Sequence, residues 1–338
     1  MKHRYSALYR TVLAMIPLAI AFPLAAADLR EELAALPDKI VFESYRDNNW
    51  EICQVNADGS GCVNLTKTPQ INELYPQVSP DSTKIAFVVD EGEGVKKARN
   101  VYEMNFDGTG RTLVAQNARY PFWNPKGNAI SYVPGELPEF TIRDYASKGI
   151  VSWDVTTHQT ERHPNASIEH LYNLCFTPDG KWIVATVHAG MGCKHGILAV
   201  EANGQKVVNL NIPGCRPDVS PDGKKVAWGA SDFELHVADL DFSGPEPKIA
   251  NNHVVVKSEK PVEVYHVDWS PDGRYLALAT GTKAEKKLSS PPELVGVVAP
   301  GWQICVADAN AVNRFVQITQ DGVSNKEPDW VPAVKGKK

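Results

Sequence analysis

The chain has 338 residues, 43% of them hydrophobic and 22% charged, with a formal net charge of −5. That length admits one large all-β domain or two ordinary domains, and the apolar-to-charged balance excludes a disordered chain. The acidity argues against nucleic acid as a partner, and loss of Lys2, Arg4 and Arg10 with a leader deepens it to −8.

Residues 1–27 are a separate text. A basic start, "MKHRYSALYR", precedes the apolar "TVLAMIPLAIAFPL" and the small-residue "AAAD". This is the pattern of a signal peptide cut near Ala27, and it predicts a periplasmic or secreted protein. The apolar run is about 14 residues and holds Pro17 and Pro23, too short and too broken for a membrane span. No Cys stands near Ala27, so no lipid anchor is expected. Residues 28–38, "DLREELAALPD", predict a short helical lead, and 334–338 read as a basic tail.

From residue 39 one phrase recurs at intervals of roughly 45–55 residues, the spacing of propeller blades. Its copies are "YPQVSPDS" (75–82), "YPFWNPKG" (120–127), "NLCFTPDG" (173–180), "RPDVSPDG" (216–223), "HVDWSPDG" (266–273) and "EPDWVPA" (327–333). Pro presets the second position of a type I turn, Asp suits the third, and Gly takes the left-handed position that closes a hairpin. Short apolar runs such as "KVAW" and "YLAL" follow, suited to buried strands. Two further strands come after each, joined by "DG" turns as in "WEICQVNADGSG" and "NVYEMNFDGTG". Each unit therefore holds four strands, a (the phrase itself), b, c and d.

The chain opens on a b strand, "KIVFES" (39–44), and closes on an anchor, "PDWVP". Pairing the last anchor with the first b strand completes blade one from both ends and removes the open sheet edges. The expected fold is all-β, a six-bladed propeller over residues 39–333 made of four-stranded antiparallel blades.

The anchors and the "NADGSG…LT" hairpins resemble the repeat of the TolB-like, WD-repeat-like propeller family, over nearly all of residues 39–333. The resemblance implies a bacterial envelope compartment and an envelope protein partner. The sequence departs from the family in one respect. TolB carries an α/β domain ahead of its propeller, where about a dozen residues stand here.

In such a blade the a–b and c–d turns share one face, and the d–a and b–c connections share the other. The second set is longer here: 90–100, 134–149, 188–196 and 281–301. Irregular loops on a rigid scaffold favour function, so the long-loop face and the channel mouth form the candidate site. The d–a loops deliver Glu73, Tyr75, Arg119, Tyr120, His170, Tyr172, Arg216, Tyr265, His266, Lys326 and Glu327 to it. Tyrosines among mixed charges suit a peptide or a small polar ligand. The 281–301 insertion reads as a docking arm.

Four histidines, His170, His188, His195 and His266, fall on connections to this face and form a candidate divalent-metal set. They carry no tight ligand spacing such as HxH or HExxH. Export permits disulfides, with Cys53–Cys62 across one hairpin and Cys193–Cys215 between loops as candidate pairs. Cys175 reads as a buried thiol.

No CxxCH, GxSxG, P-loop or GxGxxG is present, so covalent haem, a serine hydrolase and nucleotide binding are not expected. The leading expectation is a non-catalytic exported propeller without a cofactor, binding a protein or peptide. The alternative is a metal-dependent lyase or hydrolase of acidic sugars built on the histidines.

Overall fold

The computed structural model describes residues 22–92, 97–143, 145–282 and 290–333. Most of the expected leader, the basic tail, and the stretches 93–96 and 283–289 of two long loops lie outside the described residues.

Six four-stranded antiparallel sheets form a ring, which makes the fold the expected six-bladed propeller. The a strands line its axis: Ser324–Val331 in blade one, Asn72–Val78, Ala118–Trp123, Leu171–Phe176, Cys215–Val219 and Val262–Trp269 in blades two to six. Blade one closes as the termini predicted. Ile40 of strand Lys39–Arg46 pairs with Trp330, and Val41 with Asp329.

The repeated phrase folds as its chemistry dictates. Ser79, Thr177, Ser220 and Ser270 each donate their hydroxyl to the Asp two residues on, at 2.6–2.7 Å. The same hydroxyl oxygen accepts the N–H that opens the b strand, as Tyr275 N–H to Ser270 Oγ at 2.9 Å. Gly180, Gly223 and Gly273 hold φ near +70°, which a side chain rarely adopts. In the degraded copy Ser82 takes that position at φ +58°.

The b and c strands are buried on both faces, packed between neighbouring blades. Phe42, Phe87 and Trp228 are fully buried there, as is Trp302 just before the blade-six c strand. A helix, Phe22–Ala34, lies against the outside of the ring. It begins before Ala27, whereas the sequence reading starts its helix at residue 28. Leu29 and Leu33 are fully buried. Arg30 donates to the Gln317 carbonyl at 2.6 Å and Glu32 pairs with Arg314 at 2.5 Å. All of these contacts lie after Ala27, so a chain beginning at Asp28 retains them.

One connection differs from its expectation. The stretch 188–196 is not an irregular loop. Strands Trp182–Gly190 and Cys193–Glu201 run to a two-residue turn at Met191–Gly192, with φ of +49° and +75°. Those are primed-turn values, which match strand twist and keep the strands in register to Gly190↔Cys193, with Ala189 at φ +54° just before the tip.

Candidate functional site

Every a strand carries a bulge at the same place. Its register slips between Leu74 and Gln77, Arg119 and Phe122, Tyr172 and Leu174, Cys215 and Asp218, and Tyr265 and Asp268, and likewise in blade one. At each bulge a non-glycine residue adopts positive φ: Tyr75 (50°), Tyr120 (50°), Asn173 (45°), Arg216 (57°), His266 (60°) and Glu327 (48°). Bulky residues in this region are outliers that cluster at functional sites. Four of the six are followed by Pro, which has no N–H to lose where the ladder is broken.

The bulge aims these side chains at the axis, where Tyr75, Asn173, Arg216, His266 and Glu327 line a cavity of only about 50 Å³. That is room for very few water molecules. Asn173 Oδ1 and His266 Nδ1 have no partner among the described residues.

A strap, residues 290–300 of the blade-six b–c loop, crosses the channel mouth and is held there by several of the same side chains. Arg216 Nη2 donates to the Glu293 carbonyl at 2.9 Å, and His266 Nε2 lies 2.8 Å from the same oxygen. Lys326 Nζ donates to the carbonyls of Pro292 (3.1 Å) and Leu294 (2.6 Å), and Arg99 to that of Val295 (3.2 Å). The strap's own Val295, Val297 and Ala299 are buried. Gly296, at φ +75°, passes where a Cβ would stand 3.1 Å from both Arg99 Nη2 and Leu74 Cδ1.

Beneath the strap the charges are paired. Glu327 Oε1 lies 3.1 Å from both Arg216 Nη1 and His266 Nε2, all three side chains being at most 5% exposed. Burial, then the Arg216 and Lys326 charges, hold the His266 pKa well below its ordinary range, so the imidazole is neutral. Lys326 Nζ is 3.5 Å from Glu43, and both are fully buried.

Two places beyond the bulge residue, Asp218, Asp268 and Asp329 form a second tier that sequence reasoning missed. Each carboxylate accepts a backbone N–H of the next blade: Trp269 at 2.9 Å, Trp330 at 2.6 Å and Val78 at 2.7 Å. Burial raises the pKa of all three, and their mutual repulsion raises those of Asp268 and Asp329 further. The same column holds Gln77, Phe122 and Cys175 in blades two to four. Aligning the anchors column by column would have revealed it.

The remaining expected site residues fall into several places. Arg119, Tyr172, Tyr265 and Lys326 stand one residue before the bulge position. Arg119 Nη1 donates to the Arg143 carbonyl at 2.7 Å, and Tyr265 donates its hydroxyl to Asp232. Tyr120 packs between Tyr75 (5.1 Å) and Tyr172 (6.2 Å). Glu73 is buried on Arg111 at 2.5 Å, and burial pushes its pKa up to about 7.

The four candidate metal histidines do not converge. His266 sits in the channel, while His170, His188 and His195 belong to blade four. Among the described residues no group of three or more ligand types is placed to hold a metal.

The six cysteines are free thiols in the structure, so neither candidate disulfide is closed. Cys53 donates a hydrogen bond to Cys62, which holds the Cys62 thiol down to about 6. Cys193, at the hairpin tip, takes a contact from Asn209 Nδ2 at 3.8 Å, and Cys215 opens the blade-five a strand.

A larger groove, about 990 Å³, opens on the opposite face between blades three and four, flanked by Lys126, Arg162, Phe176 and Lys181. The outer strands of blade three that border it are only four and three residues long. Its side chains form no converging network of the kind seen at the channel mouth, which is why the mouth is the candidate site.

No protein-family model matches this chain, and no curated protein matches it. Solved structures do. TolB from Acinetobacter baumannii superposes with a TM-score of 0.57 at 19% identity over 87% of this chain, which spans 66% of that TolB chain's length. A chain of the nidogen–laminin complex gives a TM-score of 0.58 at 8% identity, covering 88% of this chain and 99% of that one. An oligogalacturonate lyase in complex with manganese gives 0.50 at 13% identity, covering 83% and 72%. At these identities the likeness shows the fold, a TolB-like propeller.

Proposed function

We propose that the chain is an exported, non-catalytic propeller that takes an extended segment of an envelope or secreted protein across its long-loop face. One observation carries this reading. Arg216, His266, Lys326 and Arg99 already contact four successive carbonyls, Pro292 to Val295, of a strap lying across the channel mouth. A ring of buried donors aimed at main-chain oxygens recognises backbone rather than any one side chain, so it suits a peptide segment. The strap is the built-in occupant, and a partner segment replaces it.

The similar chain of the nidogen–laminin complex was solved within a protein–protein assembly, and the TolB-like fold points to an envelope compartment. Among the described residues no helix is long and apolar enough to cross a membrane. The leader pattern supports export, with the mature chain starting at Asp28. The adjacent Cys53 and Cys62 thiols are proposed to close a disulfide in that oxidising compartment.

Photo-crosslinking tests this in cells. A crosslinking residue at Lys194 on the long-loop face is expected to capture a protein, and one at Lys126 on the short-turn face is not. Capture from Lys126 alone, or from neither, overturns the reading. A mature protein that still begins at Met1 overturns the export assignment.

A further inference from the structure

The blade-four hairpin carries a second feature, separate from the channel. His188 and His195 stand directly opposite each other in register, and their Nδ1 atoms are 3.3 Å apart. Two imidazole nitrogens bound to one tetrahedral Zn²⁺ at about 2.0–2.1 Å are separated by about 3.3–3.4 Å. The hairpin thus holds two ligand atoms at the spacing one ion requires.

Several contacts fix that spacing. The two-residue Met191–Gly192 turn locks the strands three residues away. The His188 ring lies against Tyr145, with centroids 4.4 Å apart. Both nitrogens of neighbouring His170 are already engaged, Nδ1 with the Ala189 carbonyl at 2.9 Å and Nε2 with Glu136 at 3.0 Å. His170 is therefore not a third ligand. His195 is exposed and His188 partly so, which leaves the solvent side open to water or to a donor from another protein.

We propose that His188 and His195 form a cross-strand two-imidazole chelate for a late first-row divalent cation such as Zn²⁺ or Cu²⁺. Imidazole nitrogen suits these ions and not Mg²⁺ or Ca²⁺, which require oxygen ligands. The site does not depend on the channel-mouth reading and stands or falls separately from it.

The test is calorimetric titration of Zn²⁺ into the untagged mature chain, with thermal melts to confirm that each variant is folded. His188→Ala and His195→Ala are each expected to weaken binding by about tenfold or more. His195→Asn, a milder change, is expected to do the same. His253→Ala, on the outer strand Lys248–Lys257 of blade five, is expected to leave it unchanged. Binding retained in either the His188 or the His195 variant, or no Zn²⁺ binding by the native chain, overturns the proposal.

Discussion

The two halves of the ring build the same bulge from opposite chemistry. Blades five, six and one place Arg216, His266 and Glu327 at the left-handed position and Asp218, Asp268 and Asp329 two residues on. Blades two, three and four place Tyr75, Tyr120 and Asn173, then Gln77, Phe122 and Cys175. In the aromatic half, rings bridge neighbouring blades, Tyr75 on Tyr120 and Phe122 on Phe176, both with centroids 5.1 Å apart. In the charged half, carboxylates latch one blade to the next, and Arg216, His266 and Lys326 reach up to the strap, joined there by Arg99 of blade two. Packed rings stabilise simply by being buried. Buried charges carry a desolvation cost that apolar residues avoid. The fold does not need them to form the bulge, since blades two to four form it without them. We assign the charged half to recognition and the aromatic half to holding the ring closed.

Substitution separates the two assignments. Arg216→Ala takes the paired cation from the buried Glu327 carboxylate and one of the donors from the Glu293 carbonyl, and is expected to cost about 3–5 kcal/mol in a denaturant titration. Its counterpart, Tyr75→Phe, removes only the acceptor of the 3.2 Å hydrogen bond from Asn173 Nδ2, at about 1 kcal/mol. Equal costs would erase the distinction between the halves.

The aspartate tier adds a pH signature. Burial, then Asp329 and Asp218, hold the Asp268 carboxyl well above its ordinary range. The folded chain therefore binds a proton there at a pH where the unfolded chain has released it. Stability from this group is full below the ordinary carboxylate range and is lost as pH rises through the folded value. His266, held neutral, acts in the opposite direction below about 6.5, but it is present in both proteins and cancels in their difference. Asp268→Asn keeps an acceptor for the Trp330 N–H, so it is expected to melt above the native chain at pH 8. The gap should close as pH falls toward 5. A gap independent of pH would mean that Asp268 is ionised in the folded chain across this range, as it is in the unfolded chain.

The smaller effect concerns the strap. Gly296→Ala forces a side chain into a left-handed position against Arg99 and Leu74, at about 1–2 kcal/mol. The strap should become the first site of limited proteolysis while the ring stays intact. Cleavage elsewhere first would show that the strap is not separately held.

The ring was legible in the sequence because a turn and its flanking strands are local. "SPDG" followed by an apolar run dictates a hairpin, and six copies with mismatched ends dictate a closed circle. The bulge was not legible. Nothing in Tyr, Arg, His or Glu signals positive φ, and a one-residue offset exchanges the faces of a strand. The reading therefore chose Tyr172 over Asn173 in blade four, where Leu174 replaces the Pro that marks the bulge in four other copies. The strap was placed on the correct face, but its path depends on long-range donors such as Arg99 and Lys326, which no local pattern links to residues 292–295. The His188–His195 pairing required knowing that the two strands stay in register this far out.

The most direct test of the central claim, that the charged half reads an extended backbone, is to supply the strap in trans. Residues 290–300 are replaced by a Gly/Ser linker of equal length, and the free peptide SPPELVGVVAP is titrated onto the folded variant. The account predicts saturable one-to-one binding that is lost when Arg216→Ala is added, and no binding to the native chain, whose ring is already occupied. A folded linker variant that ignores the peptide, or that binds it equally well without Arg216, would contradict the account.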